Sequence, residues 1–582
     1  MMMNQEIAEI FDRMARVLAF KGKDRFRALA YERAAGSLRG IEQDLTELAG
    51  QKKLKNIPGI GKDLSEMIEE YIRTGHITRC EREMRDVPDE LLVLMDIPGL
   101  GPKTLALLNK KFHIKNIKDL ERLIEKGALP EFHGFGKKKI ENLRRGIGMF
   151  EANTQRRRLG VVLPMAEKLL DEARRIKLVE RADLAGSVRR RTETIGDIDL
   201  LIASSNGEEA LREFVKLPSI KRVRALGKTS ASVITEGDLQ TDVRAVSQQS
   251  YGAALQYFTG SKQHTVRLRT MARERGLKIN EYGVFRGEDR IGGEDEKDVY
   301  YALGLKFMPP ELREDRGEIE AAIDGHLPTL IEENDLRGDL HMHTTWSDGR
   351  ASVEEMVERA AKLGREYIAL TDHSQSSRIA RGLDLERLEL KIEEVEALRK
   401  RRGKRKPRVL MGAEVDILAD GRLDYPDQIL ARLDVVVASI HSAFRQSKDR
   451  ITGRLLDAIA NPYVQIIGHP TTRLIGAREP VEFNFRQVVK ATVAAGVALE
   501  VNGSPNRLDL NDVMTRAAHE AGSLLAIDSD AHSTAQLAQT SFGVSQARRA
   551  WVEARSVVNT WPWPKFSRWM RHRRRPAEEE IG

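Results

Sequence analysis

Between Ala185 and Ile202 the chain reads Ala-Gly-Ser-Val-Arg-Arg-Arg-Thr-Glu-Thr-Ile-Gly-Asp-Ile-Asp-Leu-Leu-Ile. The run from Ile195 to Ala203 is apolar except for two carboxylates, and it predicts a strand. Residues i and i+2 of a strand share a face, so Asp197 and Asp199 aim at one point. Like charges held that close repel unless a cation lies between them. Hard oxygen ligands of this kind suit Mg2+, which takes substrate phosphates as further ligands. The Gly186-Ser187 turn and the arginines after it, Arg190 among them, offer N–H groups, a hydroxyl and guanidinium forks, all fitted to phosphate oxygens. An Asp-x-Asp on its own is common. Preceded by Gly-Ser and arginines and set in a buried strand, it points to nucleotidyl transfer.

A third carboxylate is expected from the alternating segment Leu239–Val246, as Asp242. Three carboxylates holding two metals can activate a 3′-hydroxyl and neutralise a leaving pyrophosphate. With Tyr257-Phe258-Thr259-Gly260-Ser261 and Leu277-Lys278-Ile279-Asn280-Glu281-Tyr282-Gly283, these segments resemble the palm and thumb of the family X DNA polymerases, similar to polymerase beta. The resemblance implies that Asp197, Asp199 and Asp242 are catalytic and that Gly186, Ser187 and Arg190 hold the triphosphate. It also implies that Tyr257, Phe258 and Gly260 line the sugar pocket. Thr265 stands where that family often has an Asn that touches the incoming base.

Upstream, three units share the pattern h-x-Gly-h-Gly-Lys: Ile57–Lys62, Ile97–Lys103 and Phe132–Lys137. Paired glycines permit a tight hairpin, and the N–H groups of the helix behind it meet a phosphate. This is the helix–hairpin–helix signature, which reads DNA backbone without reading sequence. The candidate DNA contacts are Gly59, Gly61 and Lys62; Gly99, Gly101 and Lys103; and Gly134, Gly136 and Lys137. Polymerase beta relatives also cleave abasic sites with a lysine on the helix behind the first hairpin. Met67 occupies that place here, so lyase chemistry is not expected. Residues 4 to about 50 read as helices bearing a basic cluster, Lys21 to Arg33, that suits either phosphate or solvent.

The chain changes character near residue 335. His341-Met342-His343 alternates on one strand face, and Asp348 follows a turn. Thr371-Asp372-His373, Glu414, His441, His469 and Asp530-Ala531-His532 then close successive apolar runs. Strand–helix repeats with polar residues at strand C-termini describe a βα barrel with its site at that end. A set of His, Asp and Glu at those positions is a metal site. Its order resembles the PHP (polymerase and histidinol phosphatase) domains, which implies a seven-stranded βα barrel with up to three ions. By resemblance, His341, His343, Glu414 and Asp530 share one ion. Glu414 bridges to a second with His441 and His469, and Asp348, His373 and His532 hold a third. Imidazole with carboxylate suits Mn2+ or Zn2+. Arg378, Arg381 and Arg473 lie in nearby loops and suit phosphate or solvent equally. The Lys/Arg-rich stretch 391–408 and the tail from Trp569 to Arg575 read as solvated basic surface.

The expected fold is multidomain, α and α/β. It comprises a DNA-end-binding helical domain (1–85), a fingers-like domain with two hairpin units (86–150), a nucleotidyltransferase palm (151–250), a thumb (251–316), a linker (317–336) and a PHP barrel (337–575). Of the 582 residues 41% are hydrophobic and 32% charged, which fits globular domains with adequate cores. A net charge of +8 favours a polyanionic partner. The single cysteine, Cys80, excludes an internal disulfide and fits a reducing compartment. The start has neither a signal-like nor a membrane-spanning run, so a cytoplasmic, nucleoid-associated monomer is expected. The expected function is gap-filling DNA synthesis in repair with a metal-dependent 3′-to-5′ exonuclease or abasic-site endonuclease. The expected partners are gapped or nicked duplex DNA and deoxynucleoside triphosphates. The alternatives are a barrel that is a small-molecule phosphatase, and a structural DNA-end-binding protein.

Overall fold

The computed structural model describes residues 2–22, 25–39, 45–97, 99–126, 129 and 135–572. By its contacts the chain forms two compact units, one of residues 1–155 with 476–478 and one of the remainder.

The first unit is helical. The amphipathic helix Met2–Phe20 buries Ile7, Phe11, Met14 and Leu18, at the 3–4-residue spacing that puts one stripe against a core. In the first two hairpins Gly59 and Gly99 take φ of 81° and 87°, a left-handed conformation that favours glycine. Gly61 and Gly101 then cap the helices Lys62–Thr74 and Pro102–Phe112. A Cβ at Gly61, Gly99 or Gly101 would meet no other atom within 4 Å, so these turns keep a bare backbone surface. Of the third hairpin, Gly134 lies outside the described residues, as does the side chain of Lys137, and Gly136 is exposed. Lys23 also lies outside them.

The second unit contains the palm, thumb and barrel. The palm is a five-stranded sheet in the order Arg181–Leu184, Ile198–Ala203, Gln240–Val246, Ser230–Thr235, Ile220–Leu226. Only Ile198–Ala203 and Gln240–Val246 are parallel neighbours. The thumb is built on the helices Tyr251–Thr259 and Lys262–Glu274 and a small antiparallel sheet of residues 278–292. Residues 317–336 are packed rather than extended: Ile319 joins the thumb core and Ile331 the barrel core.

The barrel strands run Gly338–Asp339, Tyr367–Leu370, Arg408–Asp416, Val435–Ser439, Ile466–Ile467, Ala498–Asn502 and Leu524–Asp528, parallel and in sequence order. A bridge from Met342 to Ala531 brings the last strand back to the first. The strands are mostly apolar, because helices cover the outer face and side chains fill the interior, with acids such as Glu414, Asp416 and Glu500 set among the apolar residues. The tail corrects its sequence reading. The helix Trp563–His572 is not simply a solvated basic surface, since Phe566 and Met570 are buried with Trp561 in the barrel's second core. Phe566 stacks on Tyr367 at 4.3 Å. Arg571 is exposed, and Arg573 to Arg575 lie outside the described residues. Among the described residues no helix is long and apolar enough to cross a membrane.

Met67 is buried, with its sulfur 3.5 Å from the Tyr31 hydroxyl. A thioether cannot form an imine. Borohydride treatment with a 5′-deoxyribose-phosphate end is therefore expected to trap little or no adduct. Efficient trapping mapped to Lys62 would overturn this.

Candidate active sites

In the palm, the parallel register sets Asp199 opposite Asp242, and Asp197 lies just before the same strand. Burial and the neighbouring Asp197 and Asp242 push the Asp199 carboxyl up to about 7, against Arg190 and Arg244, which pull it down. Burial and Asp242 raise Asp197 also. Gln240 donates to Asp242 at 3.0 Å. Gly186, at φ 56°, lies so near that a Cβ there would fall 1.9 Å from Asp199 Oδ2, so no other residue fits without displacing the carboxylate. The turn, the arginines and the three carboxylates thus come together. Three crowded carboxyls, of which Asp197 and Asp199 are raised, are a donor set a divalent cation fits, since the cation removes the repulsion that burial magnifies.

Arg190 donates Nε to Glu314 at 3.0 Å and Nη1 to the Thr259 carbonyl at 2.6 Å. Arg189 is committed to Glu296 at 2.7 Å and to Thr259, leaving Arg190 nearer the carboxylates. Tyr257 and Phe258 meet edge to face at 5.2 Å, and Arg244 lies over the Phe258 ring. Gly260 ends their helix at φ 67°. Thr265, which stands where the family often has Asn, is buried, and its hydroxyl has no hydrogen-bond partner among the described residues.

In the barrel, the predicted ligands converge on Glu414. Its carboxylate lies 2.8 Å from His469, 2.9 Å from His373, 3.3 Å from His441, 3.4 Å from His341 and 3.6 Å from His343. Asp530 is 3.2 Å from His343 Nε2. Asp348 is 3.4 Å from His532 and 3.6 Å from His373. Burial raises Glu414, yet His441, His373 and His341 pull it well below the carboxylate range. Burial lowers His441, yet Glu414 and Asp416 lift it to about 10. His343, buried beside His532 and His373, falls to about 4. His341 Nε2, both ring nitrogens of His343 and His373 Nδ1 are buried without a hydrogen bond. Such nitrogens are costly unless something accepts their lone pairs, and with three carboxylates they fit divalent metals. The grouping differs from the expected one: His343 also lies with Asp348, His373 and His532, and His373 also lies with Glu414 and His441.

Sequence reasoning missed the residues behind the imidazoles. Asp416 takes the other ring nitrogen of His441 at 2.6 Å, and Glu500 that of His341 at 2.7 Å. Asp416 is i+2 from Glu414 on one strand, and Glu500 is an acid inside an apolar strand; those were the available signals. Arg473 is not free for phosphate. It donates to Glu193 at 2.7 Å and to the carbonyls of Arg507 and Leu508. Arg378 and Arg381 are exposed.

Family models match along the chain: a helix-hairpin-helix domain at residues 2–77, a SAM-like helix-hairpin-helix tandem at 91–148, the DNA polymerase beta thumb at 254–314 and the PHP domain at 339–504. The DNA polymerase/3′-5′ exonuclease PolX of Bacillus subtilis is 38% identical over 565 residues, covering 96% of this chain and 97% of that protein. The chain belongs to the family X DNA polymerases that carry a PHP domain. DNA polymerase lambda of Arabidopsis thaliana is 26% identical over 53% of the chain and 62% of its own length. A probable phosphatase from Thermoanaerobacter sp. is 32% identical over 38% of the chain and 89% of its own length. The protein is thus a nucleotidyltransferase joined to a metal-dependent hydrolase, with DNA and nucleotides as substrates and divalent metals as cofactors.

Two outcomes follow from the geometry. A carboxyl raised from 3.8 to about 7 keeps its proton in the folded chain where the unfolded chain has lost it. Its contribution therefore favours the metal-free fold at low pH and is lost as pH rises through 7. A cation bound there reverses the penalty, so the rise in Tm on adding Mg2+ is expected to be larger at pH 8 than at pH 6. Asp199→Asn removes that difference; an equal shift at both pH values in the wild type would refute it. Separately, Asp416→Ala is expected to lower divalent-metal affinity by about 10–100-fold, the usual cost of losing a partner behind a ligand, read by metal content after dialysis.

Proposed function

We propose that the polymerase fills short gaps during DNA repair and that the barrel trims DNA 3′ ends or cleaves at abasic sites. The observation behind this reading is that two ligand sets, Asp197/Asp199/Asp242 and the cluster around Glu414, share no residue yet occur in one chain with DNA-backbone hairpins. In the palm, the three carboxylates hold Mg2+, which supplies activation of the 3′-hydroxyl and charge neutralisation when bound. Gly186, Ser187 and Arg190 take the triphosphate. Tyr257, Phe258 and Gly260 shape the sugar pocket and exclude a 2′-hydroxyl. The glycines and lysines of the hairpins, Gly59 to Lys62, Gly99 to Lys103 and Gly134 to Lys137, contact DNA phosphates.

In the barrel, His341, His343, Asp348, His373, Glu414, His441, His469, Asp530 and His532 hold Mn2+ or Zn2+ in up to three positions, with Glu414 as the shared ligand. The bound ions supply an activated water and a clamp on phosphoester oxygens. The likeness to a probable phosphatase favours a second reading, a phosphatase of small phosphomonoesters. Phosphate release from such an ester, measured against nucleotide release from a DNA 3′ end, separates the two. The single buried Cys80 accords with a cytoplasmic site of action.

Asp242→Ala is expected to abolish primer extension while leaving 3′-end cleavage nearly intact. Glu414→Ala is expected to lose at least one bound metal per chain and most cleavage while still extending primers; His532→Ala retains part of both. Wild-type cleavage by Glu414→Ala with unchanged metal content would remove the barrel from the nuclease reaction.

A further inference from the structure

The palm loop between the Gly-Ser turn and the Asp-x-Asp strand is backed by the barrel, not by the palm alone. Three of its four residues from Arg190 to Glu193 each receive a donor from the barrel. Arg549 Nη1 donates to the Arg190 carbonyl at 2.7 Å, Gln546 Nε2 to the Arg191 carbonyl at 3.3 Å, and Arg473 Nη2 to the Glu193 carboxylate at 2.7 Å. Arg549 and Gln546 project from one helix, Thr540–Arg549, one turn apart. Arg549 also donates to Glu314 Oε1 at 2.9 Å, the same oxygen that accepts from Arg190 Nε at 3.0 Å. Asp512 holds the other side of Arg549 at 2.8 Å. The Arg549 side chain is only 5% exposed, and Glu314 and Arg190 are 17% and 15% exposed.

We propose that Arg549 is a positioning residue for nucleotide addition, holding Arg190 in place for the triphosphate through Glu314 and through the Arg190 main chain. This rests on the reading of Arg190 as a triphosphate ligand. With Nε on Glu314 and Nη1 on the Thr259 carbonyl, the Arg190 guanidinium is fixed in plane, and its Nη2 takes no partner among the described residues. A fork held this way meets an incoming phosphate without first losing side-chain freedom. Glu314 alone is a weak anchor, since a half-buried carboxylate facing one arginine can move with it. Arg549, clamped between Asp512 and two acceptors, fixes that carboxylate. Removing it leaves Glu314 undercompensated and frees the Arg190 carbonyl at once. The barrel is therefore part of the polymerase site without touching nucleotide.

The test uses the full chain on a gapped duplex, measuring kcat and the KM for deoxynucleoside triphosphate, with 3′-end cleavage and Tm on the same samples. Arg549→Ala and Glu314→Gln are each expected to raise that KM about tenfold, a change of about 1.4 kcal/mol, with smaller effects on kcat and cleavage. Arg549→Lys recovers part of the loss. The pair together is expected to be no worse than either alone, because both act through Arg190. An unchanged KM in Glu314→Gln, or losses that multiply in the double variant, would overturn the proposal, as would a KM rise that tracks a fall in Tm across the set. Glu314→Gln keeps the shape of the side chain, so it carries the test if Arg549→Ala fails to fold. Arg190→Ala is run alongside: an unchanged KM there sinks the triphosphate reading itself, whereas a raised KM with a silent Arg549 sinks only the positioning role.

Discussion

Both candidate sites depend on one constraint: parallel strands deliver charged side chains to a common point whether or not those charges tolerate each other. In the palm, Asp199 faces Asp242 because Ile198–Ala203 and Gln240–Val246 are parallel neighbours in register. In the barrel, Glu414 sits where strand ends bring five histidines around it. Neither cluster is stable by itself. Each persists because the strands beneath carry a buried apolar core, and the apolar burial there outweighs the repulsion above.

The two sites answer the constraint differently. The palm has carboxylates only, with Arg190 and Arg244 at its edge, and its charge is left for a cation. The barrel surrounds one carboxylate with imidazoles, and each of two imidazoles is in turn backed by an acid, His441 by Asp416 and His341 by Glu500. Next in sequence to His373, Asp372 is paired with the wholly buried Lys391 at 2.9 Å and accepts from Thr344 and Ser347. Each acid fixes the orientation of the ring it backs, and turns His341 Nε2 and His441 Nε2 toward Glu414. The barrel thus offers a mixed imidazole and carboxylate donor set to divalent ions, and the palm a set of carboxylates alone.

Much of this was legible before any coordinates. A period of two places Asp197 with Asp199 and His341 with His343, and apolar runs ending in His, Asp or Glu mark barrel strands. Those signals are local, and they succeeded where the structure is locally determined. The failures are non-local. Arg473 looked like a loop cation because its partner, Glu193, lies 280 residues away. The tail was read by its charges, yet its aromatic face pairs with Tyr367, some two hundred residues earlier. Asp416 and Glu500 were hidden because an acid in an apolar strand declares a burial problem without naming the partner that solves it.

The same long-range contacts bear on why a polymerase and a barrel share one chain. Arg473 reaches Glu193 in the palm with a guanidinium that also holds the carbonyls of Arg507 and Leu508. Arg507 in turn sets its Nε 3.5 Å from Asp530, one of the acids of the metal cluster. A single side chain thus braces the palm loop on one side and the segment behind a barrel acid on the other. Gly160 packs so closely on Pro505 that a Cβ there would fall 2.2 Å from the ring, so the two bodies meet without a gap beside this brace. Polar contacts of this kind resist sliding, because a displacement leaves their groups unpaired. The palm and barrel are consequently better described as one folded body with two mouths than as two enzymes on a tether.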